Sequence, residues 1–193
     1  MENLELHYSE LYNKIMNLYF DWKINIDIFG NKENEEVLNY FSGSTFAYFQ
    51  IKVNNDLILS FVKLVDPYRM GSNKNLTLYT LLDDFKNDEI KYFLLKEKLE
   101  TIKKELEDLK RHRSKIIAHS DYKKALLNGP KGIILGQALV DKIFELIKSF
   151  MDIIQEENKT FEKLNYQIGF DIGNHNDMIS KMKRYKNIIE NKI

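Results

Sequence analysis

Cysteine is absent from the chain, which removes disulfides, thiolate metal sites and thiol nucleophiles together. Proline is almost absent as well. Pro67 and Pro130 are the only two in 193 residues, so long helices can run with no ring to delete a backbone donor or clash with the preceding turn. No stretch approaches the roughly 18 consecutive apolar residues of a membrane span. The N-terminus reads Met-Glu-Asn-Leu-Glu, acidic where a secretory signal opens with positive charge. These absences predict a cytoplasmic protein with no membrane contact. Net charge is missing too: 29 Lys and Arg balance 29 Asp and Glu, so the whole molecule is not drawn to nucleic acid by its overall charge.

What is present fits a folded domain. Hydrophobic residues make up 44% and charged residues 30%, a soluble globular balance. The length suits one core, and no change of composition marks a second domain. Residues 1–193 are therefore read as one domain, with its core over roughly 3–163 and a basic helical extension over 174–191.

Apolar periodicity then predicts the elements. Leu4, Leu11, Ile15, Leu18, Tyr19 and Trp22 recur at helical spacings, giving a helix over about 3–27 that Gly30-Asn31 interrupts. A second helix is expected to begin after Ser42-Gly43-Ser44 and to reach Asp66-Pro67, where Pro disfavours continuation. Gly71-Ser72-Asn73 reads as a loop, and Thr77 or Asn75 as the cap of a short helix over Leu78 to Leu82. From Asn87 one long helix carries Leu95, Leu99, Ile102, Leu106 and Leu109 as a buried seam. The turn Asn128-Gly129-Pro130-Lys131-Gly132 leads to a last long helix through Leu135, Ile143, Ile147, Phe150 and Ile154. The resulting class is all-α: a bundle of four long helices with short additional ones.

One stretch breaks its pattern. Continued past Leu109, the seam places Arg113 and then Ile116 on the buried stripe, so a guanidinium falls where an apolar side chain belongs. An unpartnered buried charge is costly, so Arg113 is expected to be paired or to face a wet cleft or subunit interface. On an ideal helix Arg113 and His119 stand roughly 120° apart in rotation and about 9 Å apart along the axis, bracketing a site rather than touching. A two-fold axis would bring two such pairs into one cleft. Imidazole can exchange a proton near neutral pH and a guanidinium can hold phosphate charge, so the pattern suits RNA chemistry without a metal or other cofactor. Lys110, Arg111, His112, Lys123 and Lys124 add positive charge nearby and are candidate phosphate contacts, with His112 expected to face solvent or phosphate. The plainer alternative is that the lysines decorate a solvated face and that His119 is a favourable charge at a helix C-terminus.

The run Arg113-Ser114-Lys115-Ile116-Ile117-Ala118-His119-Ser120-Asp121 resembles the signature of HEPN domains, Arg followed four to six residues later by His, in the form typical of abortive-infection, AbiU-like members. A second patch is similar to the same branch: Val62-Lys63-Leu64-Val65-Asp66-Pro67, then Asn75-Leu76-Thr77-Leu78 and Leu81-Leu82. The resemblance implies a bundle that forms a homodimer through its signature helices, metal-independent RNA cleavage in many members, and a defence or toxin–antitoxin setting with a cognate partner protein. It makes Arg113 and His119 catalytic, with Ser114 in the supporting position beside Arg113; Lys115 is a further supporting candidate, and Asp121 either orients His119 or caps the following segment. Ser114 departs from the Asn, Asp or His usual at its position, and inactive relatives only bind nucleotides or partners.

Other candidates carry less. His7 and His175 have no acidic or histidine neighbours at metal-ligand spacing, and Gly129-Pro130-Lys131-Gly132 lacks the spacing of a phosphate loop. Phe41, Phe46, Tyr48 and Phe49 offer base-stacking surface, although core packing is the expectation for most of them.

Overall fold

The first helix, α1 (Glu2–Phe29), buries Tyr8, Leu11, Ile15, Leu18 and Trp22 on one stripe, as their spacing requires. It ends where Gly30 brings its N–H onto the Ile26 carbonyl, so closely that a Cβ at residue 30 would overlap that oxygen. The Asn31 side chain then caps α2 (Lys32–Lys63) by accepting from the Asn34 N–H at 2.8 Å. In this computed structural model the described residues are 2–114, 134–156, 158–166 and 175–191.

The second helix starts ten residues earlier than the Ser42-Gly43-Ser44 punctuation suggested. Those residues form a kink inside it rather than a boundary: Ser42 alone has non-helical dihedrals, φ −168° and ψ 76°. The Ser42 hydroxyl turns to Thr45 Oγ1 at 2.8 Å, a local bond that competes with the helical ladder. The two halves of α2 differ in burial. Leu57, Ile58, Phe61 and Val62 lie in the core, whereas Phe41, Tyr48 and Phe49 are exposed, Tyr48 by 57%. Core packing was the wrong expectation for these three aromatics: their rings meet near neighbours on α2 itself, Phe41 with Tyr40 and Phe49 with Phe46 and Tyr48, and remain open to solvent.

After α2 the chain makes a two-residue antiparallel ladder, β1 (Arg69–Met70) with β2 (Asn73–Lys74), where a plain loop was expected. Gly71 turns it at φ +64°, a conformation in which a side chain would be strained. The short helix α3 (Leu78–Asp84) follows Thr77 as anticipated, and Leu78, Leu81 and Leu82 are buried. Asp88 caps α4 (Glu89–Glu105) through the Lys91 N–H at 3.1 Å.

The expected single long helix is divided at Leu106, whose ψ of −1° separates α4 from α5 (Glu107–His112). The buried stripe runs on through Leu95, Leu99, Ile102, Leu106 and Leu109. Then α6 (Gln137–Gln155) packs along α4 and buries Val140, Ile143, Phe144, Ile147, Phe150 and Ile154, with Phe144 meeting the rings of Tyr19 and Phe61. Each such side chain, fully withdrawn from water, contributes about 1.5–3 kcal/mol before chain entropy is counted. The fold is thus an all-α bundle in which α1 pairs with α2 and α4 with α6, while α3 bridges α1 and α4. The helix α7 (His175–Glu190) packs on α1 and α2 through Ile179.

Tyrosines fasten the segment after α6. Tyr8 Oη donates to the Glu162 carbonyl at 2.8 Å and its ring stacks on Phe161. Tyr19 Oη donates to the Tyr166 carbonyl, and Tyr166 Oη donates to the Phe144 carbonyl at 3.3 Å. Burial, reinforced by nearby carboxylates, pushes the Tyr8 and Tyr166 hydroxyls well above the ordinary tyrosine range.

Candidate active site

The end of α2 is built to present a carboxylate. Leu64 and Val65 are buried and bond back three residues, to Phe61 and Val62, which tightens the last turn. Pro67 has no N–H with which to continue the ladder. The Leu78 N–H then donates to the Leu64 carbonyl at 2.9 Å, and Asn75 Nδ2 donates to the Pro67 carbonyl at 2.9 Å. Thr80 Oγ1 closes the corner by donating to the Asn75 carbonyl. Asp66 stands at this corner with its side chain 16% exposed.

Across from it, α5 packs on α2. Leu109 and His112 are buried, and Arg113, at the C-cap of α5, puts Nη1 2.7 Å from Asp66 Oδ1. Its side chain is 26% exposed, so the guanidinium is neither sealed in the core nor free in solvent. The sequence expectation that Arg113 would be paired is met here, within the subunit. Asp66 and Arg113 belong to the two separate patches that carry the HEPN resemblance, and the fold joins them. Asp66 was legible only as part of a helix end; the signal for it was the need of a stripe arginine for an acidic partner.

The register also corrects one expectation. His112 is buried, 4% exposed, and does not face solvent. The division at Leu106 rotates the helix, so the stripe steps from Leu109 to His112 and leaves Arg113 at its edge. Lys110, Arg111 and Ser114 are exposed, and Arg111 lies 3.5 Å from Asp108. Lys115, His119, Asp121, Lys123 and Lys124 lie outside the described residues.

On either side of residues 115–133 the described chain is tied to α2 or to the corner just past its end. Arg113 is held at Asp66, and Leu135 donates its N–H to the buried Asn54 Oδ1 at 2.9 Å. No group of three or more His, Asp or Glu placed to hold a metal ion occurs among the described residues. Nor is any helix among them long and apolar enough to cross a membrane.

The family model for AbiU2, of the HEPN type, matches residues 1–163. The chain belongs to the AbiU2 family of HEPN domains. The match takes in both patches, the helices α1 to α6 and the Arg113–His119 run, and it links the protein to bacterial abortive infection. Helix α7 lies beyond it. Comparison with curated proteins and with solved structures finds no match.

Proposed function

We propose that this AbiU2-family protein is a metal-independent endoribonuclease of bacterial abortive infection, or of a related toxin–antitoxin system, acting in the cytoplasm as a homodimer. Arg113 and His119 of both copies share a cleft at the interface. The observation that carries this reading is the placement of Arg113: a guanidinium at the edge of a core stripe, oriented by Asp66 and still in part open to solvent. An arginine needed only for stability could as well be an apolar residue.

In the reaction, His119 takes the proton of a ribose 2′-hydroxyl, and the oxygen attacks the adjacent phosphorus. The P–O2′ bond forms as the P–O5′ bond breaks. The leaving 5′-oxygen takes a proton from an imidazolium, giving a 2′,3′-cyclic phosphate and a 5′-hydroxyl. Arg113 holds the charge that grows on the non-bridging oxygens. Ser114, Lys115 and Asp121 support these groups, and Lys110, Arg111, Lys123 and Lys124 attract the strand.

The test is cleavage of an RNA pool in EDTA by the purified full-length protein, compared with Arg113→Ala and His119→Ala. Cyclic-phosphate ends from the wild type and loss of them in both variants are expected. Undiminished cutting by both variants overturns the roles. The ion pair itself favours a second reading, a non-catalytic helical module in which Arg113 serves packing and the basic cleft holds a nucleotide or a partner protein. That reading predicts binding that survives His119→Ala, with no cut products on any RNA.

A further inference from the structure

Beyond the Asp66–Pro67 corner, α1, the β1–β2 hairpin and α3 enclose a cleft of about 530 Å³. Its walls carry His7, Tyr68, Lys74, Asp83, Asp84 and Lys86. We propose that this cleft is a nucleotide subsite for single-stranded RNA, seating a base against Tyr68 and its phosphate on Lys74. The proposal rests on the ribonuclease reading and extends it to how the substrate strand is held.

The charges of the cleft point to an anion. Asp84 is engaged by His7, with Nδ1 2.8 Å from Oδ2, and Asp83 is faced by Lys86 at 3.9 Å. Lys74 has no carboxylate partner among the described residues, and neither has Arg69 beside it on the hairpin. Both cations lie near the Tyr68 ring instead, Lys74 Nζ at 5.7 Å from its centroid and Arg69 Cζ at 5.9 Å. A cation above the half-buried Tyr68 ring is held more weakly than a base stacked on it. An incoming base therefore displaces the ammonium from the ring and frees it for the phosphate that the base brings.

Position points to RNA rather than to an isolated small anion. Tyr68 is two residues from Asp66, at most about 7 Å between Cα atoms, so this wall of the cleft starts close to the pair that orients Arg113. The hairpin is itself fixed to that corner, because the Asn75 N–H donates to the Tyr68 carbonyl at 2.8 Å and Asn75 Nδ2 to Pro67. A strand with one phosphate at Arg113 has neighbouring nucleotides within reach of Tyr68 and Lys74.

The experiment measures anisotropy of a 5′-fluorescein single-stranded RNA octamer, in EDTA, with the full-length protein carrying His119→Ala so that the probe stays intact. Tyr68→Ala should weaken binding about tenfold, the scale of one lost base–aromatic stack. Lys74→Ala should lower the slope of log affinity against log salt by about 0.7, one single-strand phosphate contact. In otherwise wild-type protein both substitutions should raise KM and leave kcat. Lys74 lies on the hairpin and Tyr68 just before it, both outside the core, and Lys74 is exposed, so the variants should fold. Wild-type affinity and salt slope in both variants overturn the proposal, as does competition by a duplex equal to that by the single strand. Should the protein cut no RNA while these variants lose binding, the ribonuclease reading fails and the subsite stands. Cutting by the wild type with no loss of binding in either variant removes the subsite and leaves the ribonuclease reading intact.

Discussion

Replacing Asp66 by Asn keeps the shape and an acceptor oxygen but removes the charge facing Arg113. A charge-assisted hydrogen bond contributes about 1.5–3 kcal/mol when shielded, and an exposed ion pair about 0–1 kcal/mol. With side chains 26% and 16% exposed and a 2.7 Å contact, the pair falls between these limits. Asp66→Asn should therefore cost about 1–2 kcal/mol, which in a chain of this length lowers Tm by roughly 2–8 °C. Urea unfolding of the wild type, Asp66→Asn, Arg113→Met and the double variant, followed by circular dichroism, isolates the pair term. A coupling of about 1–2 kcal/mol is expected, because the double variant no longer carries an unpaired charge. If the proposed chemistry holds, Asp66→Asn should also cut RNA cleavage by up to about a hundredfold, since a guanidinium displaced by an ångström loses its phosphate. Asp66→Glu should restore part of it. Strictly additive single effects, with a coupling under about 0.5 kcal/mol, would refute the argument that Asp66 holds Arg113.

Other perturbations probe the frame around that pair. Asn54→Leu strands the Leu135 N–H that Asn54 Oδ1 accepts, and should cost about 1–3 kcal/mol in urea unfolding. Asn31→Ala removes the cap of α2 and should cost about 1 kcal/mol by the same measurement. The raised Tyr8 and Tyr166 hydroxyls keep their protons in the folded protein when the unfolded chain would ionise. Their contribution is complete below about pH 10 and is lost as pH climbs towards the folded values. Stability against pH should fall above about pH 10, and Tyr166→Phe should fall less steeply; equal slopes would contradict the burial argument. Asp88, held below the usual carboxylate range chiefly by the Lys91 N–H, works in the opposite direction. Its support of α4 is present above about pH 4 and disappears as acid protonates the carboxyl, an effect that Asp88→Asn should abolish.

Much of the bundle was readable from spacing alone. The stripes of α1, α4 and α6 are apolar at three- and four-residue intervals, and that periodicity survives any arrangement of neighbours. Caps were readable where residue type and position coincide, as at Thr77 before α3, whose backbone N–H donates to Thr80 Oγ1. The start of α2 was misread because Ser42-Gly43-Ser44 looks like punctuation, and nothing local tells a kink from an end. The buried face of the signature helix was misread for a related reason. A fixed helical repeat carried past Leu106 puts Arg113 on the stripe, whereas the break there puts His112 on it.

The linear chain by itself determined the helical class, the four long segments, the oddity at Arg113 and the resemblance of its two patches to HEPN domains. Each of these depends on residue types at short separations. Tertiary structure alone decided that Asp66 meets Arg113 across 47 positions, that His7 meets Asp84, and that the aromatics of α2 stay uncovered. Such pairings depend on how helices cross, and crossing is set by the summed packing of whole faces. No local pattern records which two distant side chains that packing brings to within a hydrogen bond.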